Sequence, residues 1–189
     1  MSELNGAVLI GGRSRRMGRD KASLLGPDGR TLCARIAATL CDAGAERVCA
    51  VGGERDPQLG LPWLPDLRPG SGPLAGIEAA LEEGGWWWVV ACDLPGVSVA
   101  DLQRLTAARR ETRPAVAWLE GRCQPLLGLY GPAQLAPVRA ALDAGRARAV
   151  EVVGTWDPVR VDLGPLANLN TPEDLAAWEQ DVAGEGTSP

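Results

Sequence analysis

The chain has 189 residues, of which 46% are hydrophobic, and its formal net charge of −5 at pH 7 argues against a general nucleic-acid binder, which needs a basic surface to displace counterions. This length suits a single α/β domain. Histidine is absent from the sequence, which excludes Ser-His-Asp and Cys-His nucleophile systems and histidine-ligated metals, so chemistry depends on carboxylates, cations and backbone amides.

The hydrophobic patterns predict strands and helices that alternate along the chain. The helix that begins at Thr31, for example, carries Leu32, Ile36 and Leu40 at intervals of four residues and stops at Gly44. The predicted strands are 7–10, 46–51, 86–92 and 159–163, with a hairpin formed by 115–119 and 125–130. The predicted helices are 31–43, 74–83, 98–110, 133–143 and one that begins after Pro172.

This alternation predicts a three-layer Rossmann-like α/β fold with a mostly parallel sheet and an antiparallel hairpin. We expect one domain over residues 1–182 and a disordered tail over 183–189, which is rich in Gly, Ser and Pro. In such sheets ligands bind beyond the carboxyl ends of the strands. The loops that follow the predicted strands are therefore the places to look for functional residues.

Cysteine usage and hydropathy indicate a cytoplasmic protein. The five cysteines are odd in number and form no CxxC pair, so neither a disulfide framework nor a zinc knuckle is indicated. No uncharged apolar run approaches the roughly 18 residues that span a bilayer. The N-terminus lacks the pattern of a secretory signal, and we expect no membrane partner.

A glycine- and arginine-rich loop follows the first predicted strand. Gly11 and Gly12 allow backbone amides to approach phosphate oxygens, and cations such as Arg16 can neutralise phosphate charge. The alternative is a solvated basic loop. Lys21 argues against that alternative, because it is the only lysine among 19 basic residues. A compact ammonium in a chain that otherwise uses arginine indicates a close phosphate contact.

Carboxylates follow two other segments. Asp93 comes directly after the apolar strand 86–92, where a hard oxygen ligand suits Mg²⁺. Its alternative role is a turn or capping aspartate before Pro95. Asp66 precedes a loop with paired glycines, and a loop aspartate that bonds its own backbone is the alternative there.

Two of the three asparagines in the chain stand close together before the last predicted helix. Asn168 and Asn170 alternate at a strand end, so both amides can face one ligand. Capping of the helix that begins after Thr171 is the alternative, and it explains Thr171 better than it explains both asparagines.

Four motifs together resemble the molybdenum cofactor guanylyltransferase (MobA-like) family of nucleotidyltransferases. They are GGRSRRMGRDK at 11–21, PGSGPLAG at 69–76, CDLP at 92–95 and NLNTPEDL at 168–175. The chain departs from the usual family pattern in two places. It has Val51-Gly52-Gly53-Glu54 where an asparagine is usual, and Gln124 where a histidine usually precedes the proline.

The resemblance implies GMP transfer from GTP to molybdopterin, with Mg²⁺ as cofactor. It implies nucleotide contacts by Leu9, Ile10, Gly11, Gly12, Lys21, Asp66 and Asp93. Catalysis would involve Lys21, Asp93 and Arg16, with Asp93 as the metal ligand. Asn168 and Asn170 would face the acceptor or the metal.

Three alternatives to this function stay open. A relative could use another base or acceptor, such as a cytidylyltransferase or a sugar-phosphate nucleotidyltransferase. A non-catalytic nucleotide sensor would share the fold, although Asp93 and Lys21 are both present. A nucleic-acid binder could use the cluster at 13–19. We expect a monomer or a weak homo-oligomer.

Overall fold

The computed structural model describes residues 3–11, 21–169 and 171–185. Seven strands form one sheet in the described part of the chain: β1 (Leu4–Leu9), β2 (Val48–Val51), β3 (Trp63–Leu64), β4 (Trp86–Ala91), β5 (Ala115–Leu119), β6 (Arg122–Tyr130) and β7 (Val159–Asp162). The helices are α1 (Leu32–Asp42), α2 (Pro73–Glu82), α3 (Val99–Ala107), α4 (Leu135–Asp143), α5 (Ala149–Gly154) and α6 (Pro172–Glu185).

The strand order across the sheet is β3-β2-β1-β4-β6-β5-β7. All neighbouring pairs are parallel except the two that involve β6, which runs antiparallel to β4 and to β5. The predicted mostly parallel sheet with an antiparallel hairpin is therefore confirmed. The chain moves from β1 to β2 on one side and later returns to β4 on the other side of β1. This reversal creates a crevice at the carboxyl end of β1, where ligands bind in open α/β sheets.

Helices cover both faces of the sheet and produce the predicted three layers. Buried side chains of α1 and α3 pack with one face, which carries Val8, Trp88 and Val90. Buried side chains of α2, α4 and α5 pack with the other, which carries Leu9 and Val89. Because both faces are buried, β4 is apolar along its whole length and β1 has a single polar side chain, the buried Asn5, so neither strand alternates.

Local sequence explains where several helices begin. The Thr31 hydroxyl accepts a hydrogen bond from the Ala34 N–H at 3.1 Å and so caps α1. Ser98 and Asp101 form a reciprocal capping box at the start of α3. Pro73 begins α2, at a position where its missing N–H costs no helical hydrogen bond.

Some predicted boundaries were wrong. The second strand of the hairpin begins at Arg122 instead of residue 125, and α3 ends at Ala107 instead of residue 110. The last helix, for which no end was predicted, continues to Glu185. The short elements β3 and α5 were not predicted, because two and six residues are too few for a hydrophobic period to be visible.

Within the described ranges, no helix is long and apolar enough to cross a membrane.

Candidate active site

The four parallel strands β1 to β4 end at one level. Leu9 is in register with Val51 on one side and with Ala91 on the other, and Val51 is in register with Leu64 of β3. These residues are the last of their strands. Everything that follows them, including Gly11 and both predicted aspartates, therefore emerges at the same edge of the sheet.

Backbone hydrogen bonds hold the first residues of these loops together. The Ile10 N–H donates to the Val51 carbonyl at 3.0 Å, and the Cys92 N–H donates to the Leu9 carbonyl at 3.1 Å. The structure thus places Leu9 and Ile10 at the centre of the edge, as a buried base for the loop that contains Gly11. Gly12, Arg16 and Asn170 lie outside the described residues, and of Lys21 only the backbone is described.

The first cavity at this edge has a volume of about 540 Å³, within the usual range for small-ligand sites. It lies on the α2 side of the sheet. Of the residues that the structure describes, ten line it: Leu9, Gly11, Val51, Gly52, Gly53, Asp66, Gly70, Gly72, Pro73 and Gly76. Three of the predicted nucleotide contacts, Leu9, Gly11 and Asp66, are brought together here.

Lack of space for a Cβ explains why two of the residues that line this cavity are glycines. A Cβ on Gly11 would come within 2.8 Å of the Gly53 backbone nitrogen. A Cβ on Gly52, whose φ is +75°, would come within 2.8 Å of Asp66 Oδ1. The carboxylate of Asp66 is therefore packed against bare backbone, where the usual family asparagine is replaced by glycines.

Burial raises the pKa of Asp66 above its ordinary value, and a hydrogen bond from the backbone of Gly53 offsets part of this rise. The ionised carboxylate is thus incompletely compensated within the described part of the protein. A ligand that donates hydrogen bonds to Asp66 would offset the remaining cost of burying its charge.

The second cavity has a volume of about 290 Å³ and is lined by Ala91, which is in register with Leu9 of the first cavity's lining across β1 and β4. Asp93 lies here, two residues beyond the end of β4, together with Asn168. The pair is held by a backbone hydrogen bond, because the Leu169 N–H donates to the Asp93 carbonyl at 2.9 Å. The other lining residues are Ala91, Leu94, Cys123, Gln124, Pro125, Leu126, Ala149 and Val150.

Sequence reasoning missed several of these lining residues. Cys123 and Gln124 come from β6, which folds back beside β4, and Ala149 and Val150 come from the unpredicted helix α5. Only the unusual Gln124-Pro125 pair gave a signal, as a departure from the family pattern. Burial raises the pKa of the Cys123 thiol, so this side chain stays a neutral thiol at pH 7.

The donor set of the second cavity is compatible with Mg²⁺. No group of three or more His, Cys, Asp or Glu side chains that could hold a metal is found within 3–11, 21–169 and 171–185. Mg²⁺ does not need one, since it usually binds one or two carboxylates, substrate phosphates and waters. Asp93 supplies a carboxylate and Asn168 an amide oxygen on the same cavity.

We predict that Asp66→Asn makes the protein more stable than wild type at pH 7 and equally stable at pH 3.5. A raised pKa means that the folded state binds the proton more strongly than the unfolded chain does, so stability falls as pH rises through that pKa. The asparagine side chain does not ionise, so the Asp66→Asn variant does not lose stability in this way as pH rises. Thermal unfolding at both pH values measures it, with Glu54→Gln in the adjoining loop as control. A midpoint for Asp66→Asn below wild type at pH 7 would contradict the prediction.

Comparison with known proteins identifies the family. The model of the MobA-like NTP transferase domain matches residues 6–158. A probable molybdenum cofactor guanylyltransferase of Mycobacterium ulcerans is 37% identical over 186 residues, covering 92% of each chain. A molybdenum cofactor guanylyltransferase of Rhizobium leguminosarum bv. trifolii is 36% identical over 208 residues, covering 95% of this chain and 93% of its own.

A solved structure shows the same fold at low sequence identity. Molybdopterin-guanine dinucleotide biosynthesis protein A from Archaeoglobus fulgidus superposes with a TM-score of 0.77 at 22% identity, covering 95% of this chain and 99% of its own. The family model and the curated relatives each cover most of the chain. The chain therefore belongs to the MobA-like NTP transferase family.

Proposed function

We propose that the protein transfers GMP from GTP to the phosphate of molybdopterin and releases pyrophosphate. The observation that carries the proposal is a pair of cavities at the carboxyl edge of β1 and β4, one lined by Asp66 and one by Asp93, whose linings include the paired strand ends Leu9 and Ala91. A transfer between two bound molecules needs two sites that meet at the reacting atoms. The names of the 36–37% identical relatives support the guanylyl group and the acceptor.

The larger cavity is assigned to the nucleoside. Its volume of about 540 Å³ and its glycine-lined wall accommodate a purine against bare backbone. Asp66 is the one carboxylate among the described residues that line it, and a guanine or ribose donor would compensate its buried charge. Gly12 follows Gly11 in the sequence, and in this proposal its lack of a Cβ would leave room for the purine.

The smaller cavity is assigned to the acceptor phosphate and the metal. Asp93 would hold Mg²⁺ at the boundary between the cavities, and Asn168, with Asn170, would contact the acceptor. The metal would neutralise triphosphate charge and orient its oxygens. Lys21 and Arg16 would add two positive charges from the loop that follows β1. Ala22, next to Lys21, is fully buried in the core cluster that α1 and α3 form with the sheet.

The proposed reaction needs no enzyme nucleophile. An acceptor phosphate oxygen forms a bond to the α-phosphorus of GTP, and the bond from that phosphorus to the α–β bridging oxygen breaks. Pyrophosphate carries away the electron pair, and the acceptor oxygen is already anionic, so no general base has to remove a proton. The protein contributes position and charge neutralisation. A chain without histidine can perform this chemistry.

A panel of nucleoside triphosphates tests the function. We expect pyrophosphate release that requires both molybdopterin and Mg²⁺, with GTP preferred over CTP by about tenfold or more, since one buried polar group left unpaired costs about that factor. Turnover efficiency on the same acceptor measures the preference. Equal efficiencies or a preference for CTP would contradict the guanylyl assignment but leave nucleotidyl transfer standing. Release with a sugar phosphate and none with molybdopterin would contradict the acceptor.

Asp93→Asn should reduce turnover by about a hundredfold or more while the fold stays intact, because it removes a formal charge at nearly constant volume. Turnover is measured against Mg²⁺ concentration. The matched control is Asp157→Asn, the same exchange at a side chain that is 87% exposed between α5 and β7. Near-normal turnover with an unchanged Mg²⁺ response would rule out Asp93 as the metal ligand.

Lys21→Arg should lose about tenfold or more in turnover although it keeps the charge, because a planar guanidinium does not fit where a compact ammonium meets phosphate. Lys21→Ala should lose at least as much. Arg30→Lys, the reverse exchange on a largely exposed side chain, serves as control. Full activity in Lys21→Arg would show that charge alone matters, and normal turnover in Lys21→Ala would remove Lys21 from the site.

A further inference from the structure

The loop between β3 and α2 forms one wall of the larger cavity. Four of the ten lining residues, Asp66, Gly70, Gly72 and Pro73, belong to this loop or to the first residue of α2. Gly70 and Gly72 both have positive φ, of 83° and 75°. Glycines in this region leave many backbone conformations open to the loop, so its position depends on what anchors it.

Arg68 anchors the middle of this loop. Its Nε donates to both carboxylate oxygens of Glu78 in α2, at 3.2 and 3.1 Å. One terminal nitrogen of the same guanidinium donates to Asp143, the last residue of α4. The Arg68 carbonyl also accepts from the Ser71 N–H at 3.1 Å, which closes the turn that leads to Gly72. One side chain thus connects the loop to two helices.

Glu78 is a carboxylate at a buried position of α2, which is unusual. Its side chain is only 2% exposed, in a helix whose residues from Leu74 to Leu81 are all buried. A buried carboxylate is tolerated when it is paired and hydrogen-bonded. Arg68 supplies that pairing, and Arg139 of α4 approaches the same carboxylate at 4.0 Å. The charge of Glu78 therefore holds Arg68 far more firmly than an exposed carboxylate would.

The two contacts of Arg68 differ in strength. Asp143 is 66% exposed, and exposed ion pairs contribute little. The pair with Glu78 is the one that fixes the loop. A Cβ on Gly72 would lie 3.5 Å from the Ala147 carbonyl, so the segment after α4 also passes close to this loop.

We infer that Arg68 is a positioning residue for the nucleotide, which it serves by locking the 66–72 loop onto the buried Glu78 and so fixing the wall of the larger cavity. The inference rests on the proposed function, because it assigns that cavity to GTP. Arg68 itself does not line the cavity. Its loss should therefore weaken binding of the nucleotide and leave the chemical step and the acceptor site largely unaffected.

The test compares GTP affinity and steady-state kinetics in three variants. We expect Arg68→Gln to raise both the GTP Kd and the GTP KM about tenfold or more, with kcat and the acceptor KM within about twofold, because displaced positioning groups impair binding of the molecule they position. The double variant Arg68→Gln/Glu78→Gln removes the clamp without leaving a buried charge. It should bind GTP as weakly as Arg68→Gln, since the two side chains act as one unit.

Arg139→Gln is the matched control, because it also removes an arginine from Glu78 but has no connection to the loop. We expect its GTP Kd to stay within about twofold of wild type. Wild-type affinity in the double variant, or an equal loss in Arg139→Gln, would overturn the inference alone. If the wild-type protein binds GTP no better than the other triphosphates, the guanylyl assignment fails first, and the inference fails with it.

Discussion

The central sheet is buried on both faces, and the position of the site depends on this constraint. Strands β1 and β4 carry apolar side chains toward α1 and α3 on one face and toward α2, α4 and α5 on the other. Neither face has room for solvated charge. Both aspartates that the sequence singled out follow the last residue of a strand by two positions, so they lie at the edge where the parallel strands end, whereas Asn5 of β1 and Glu78 of α2 are buried within the layers.

Because the parallel strands end in register, loops that are far apart in the sequence lie together at one edge of the sheet. Leu9, Val51 and Ala91 lie side by side, and hydrogen bonds from Ile10 and Cys92 continue the pairing into the loops. The result is one cavity lined by Leu9 and a second lined by its strand neighbour Ala91. In the proposed reaction the nucleoside occupies the first and the acceptor phosphate the second.

Sequence reasoning recovered the parts of this arrangement that depend on local pattern. The apolar strand before Asp93 was visible as a continuous run, and the fold class followed from the alternation of strands and helices. Contacts between residues that lie far apart in the chain could not be predicted from the sequence. Nothing in the spacing places Asn168 beside Asp93, which requires the hydrogen bond from Leu169. Glu78 stands among the apolar residues of 74–81, which is a signal for a buried ion pair, but only the structure identifies Arg68 as its partner.

The most direct measurement of the central claim is a crystal structure with Mg²⁺ and a GTP analogue whose α–β bridging oxygen is replaced by a methylene group. We predict guanine in the cavity beside Asp66 and Gly52, with the α-phosphate at the boundary near Asp93. Guanine in the cavity that contains Cys123, or in the surface groove lined by Asp28, Arg35 and Trp178, would contradict the account.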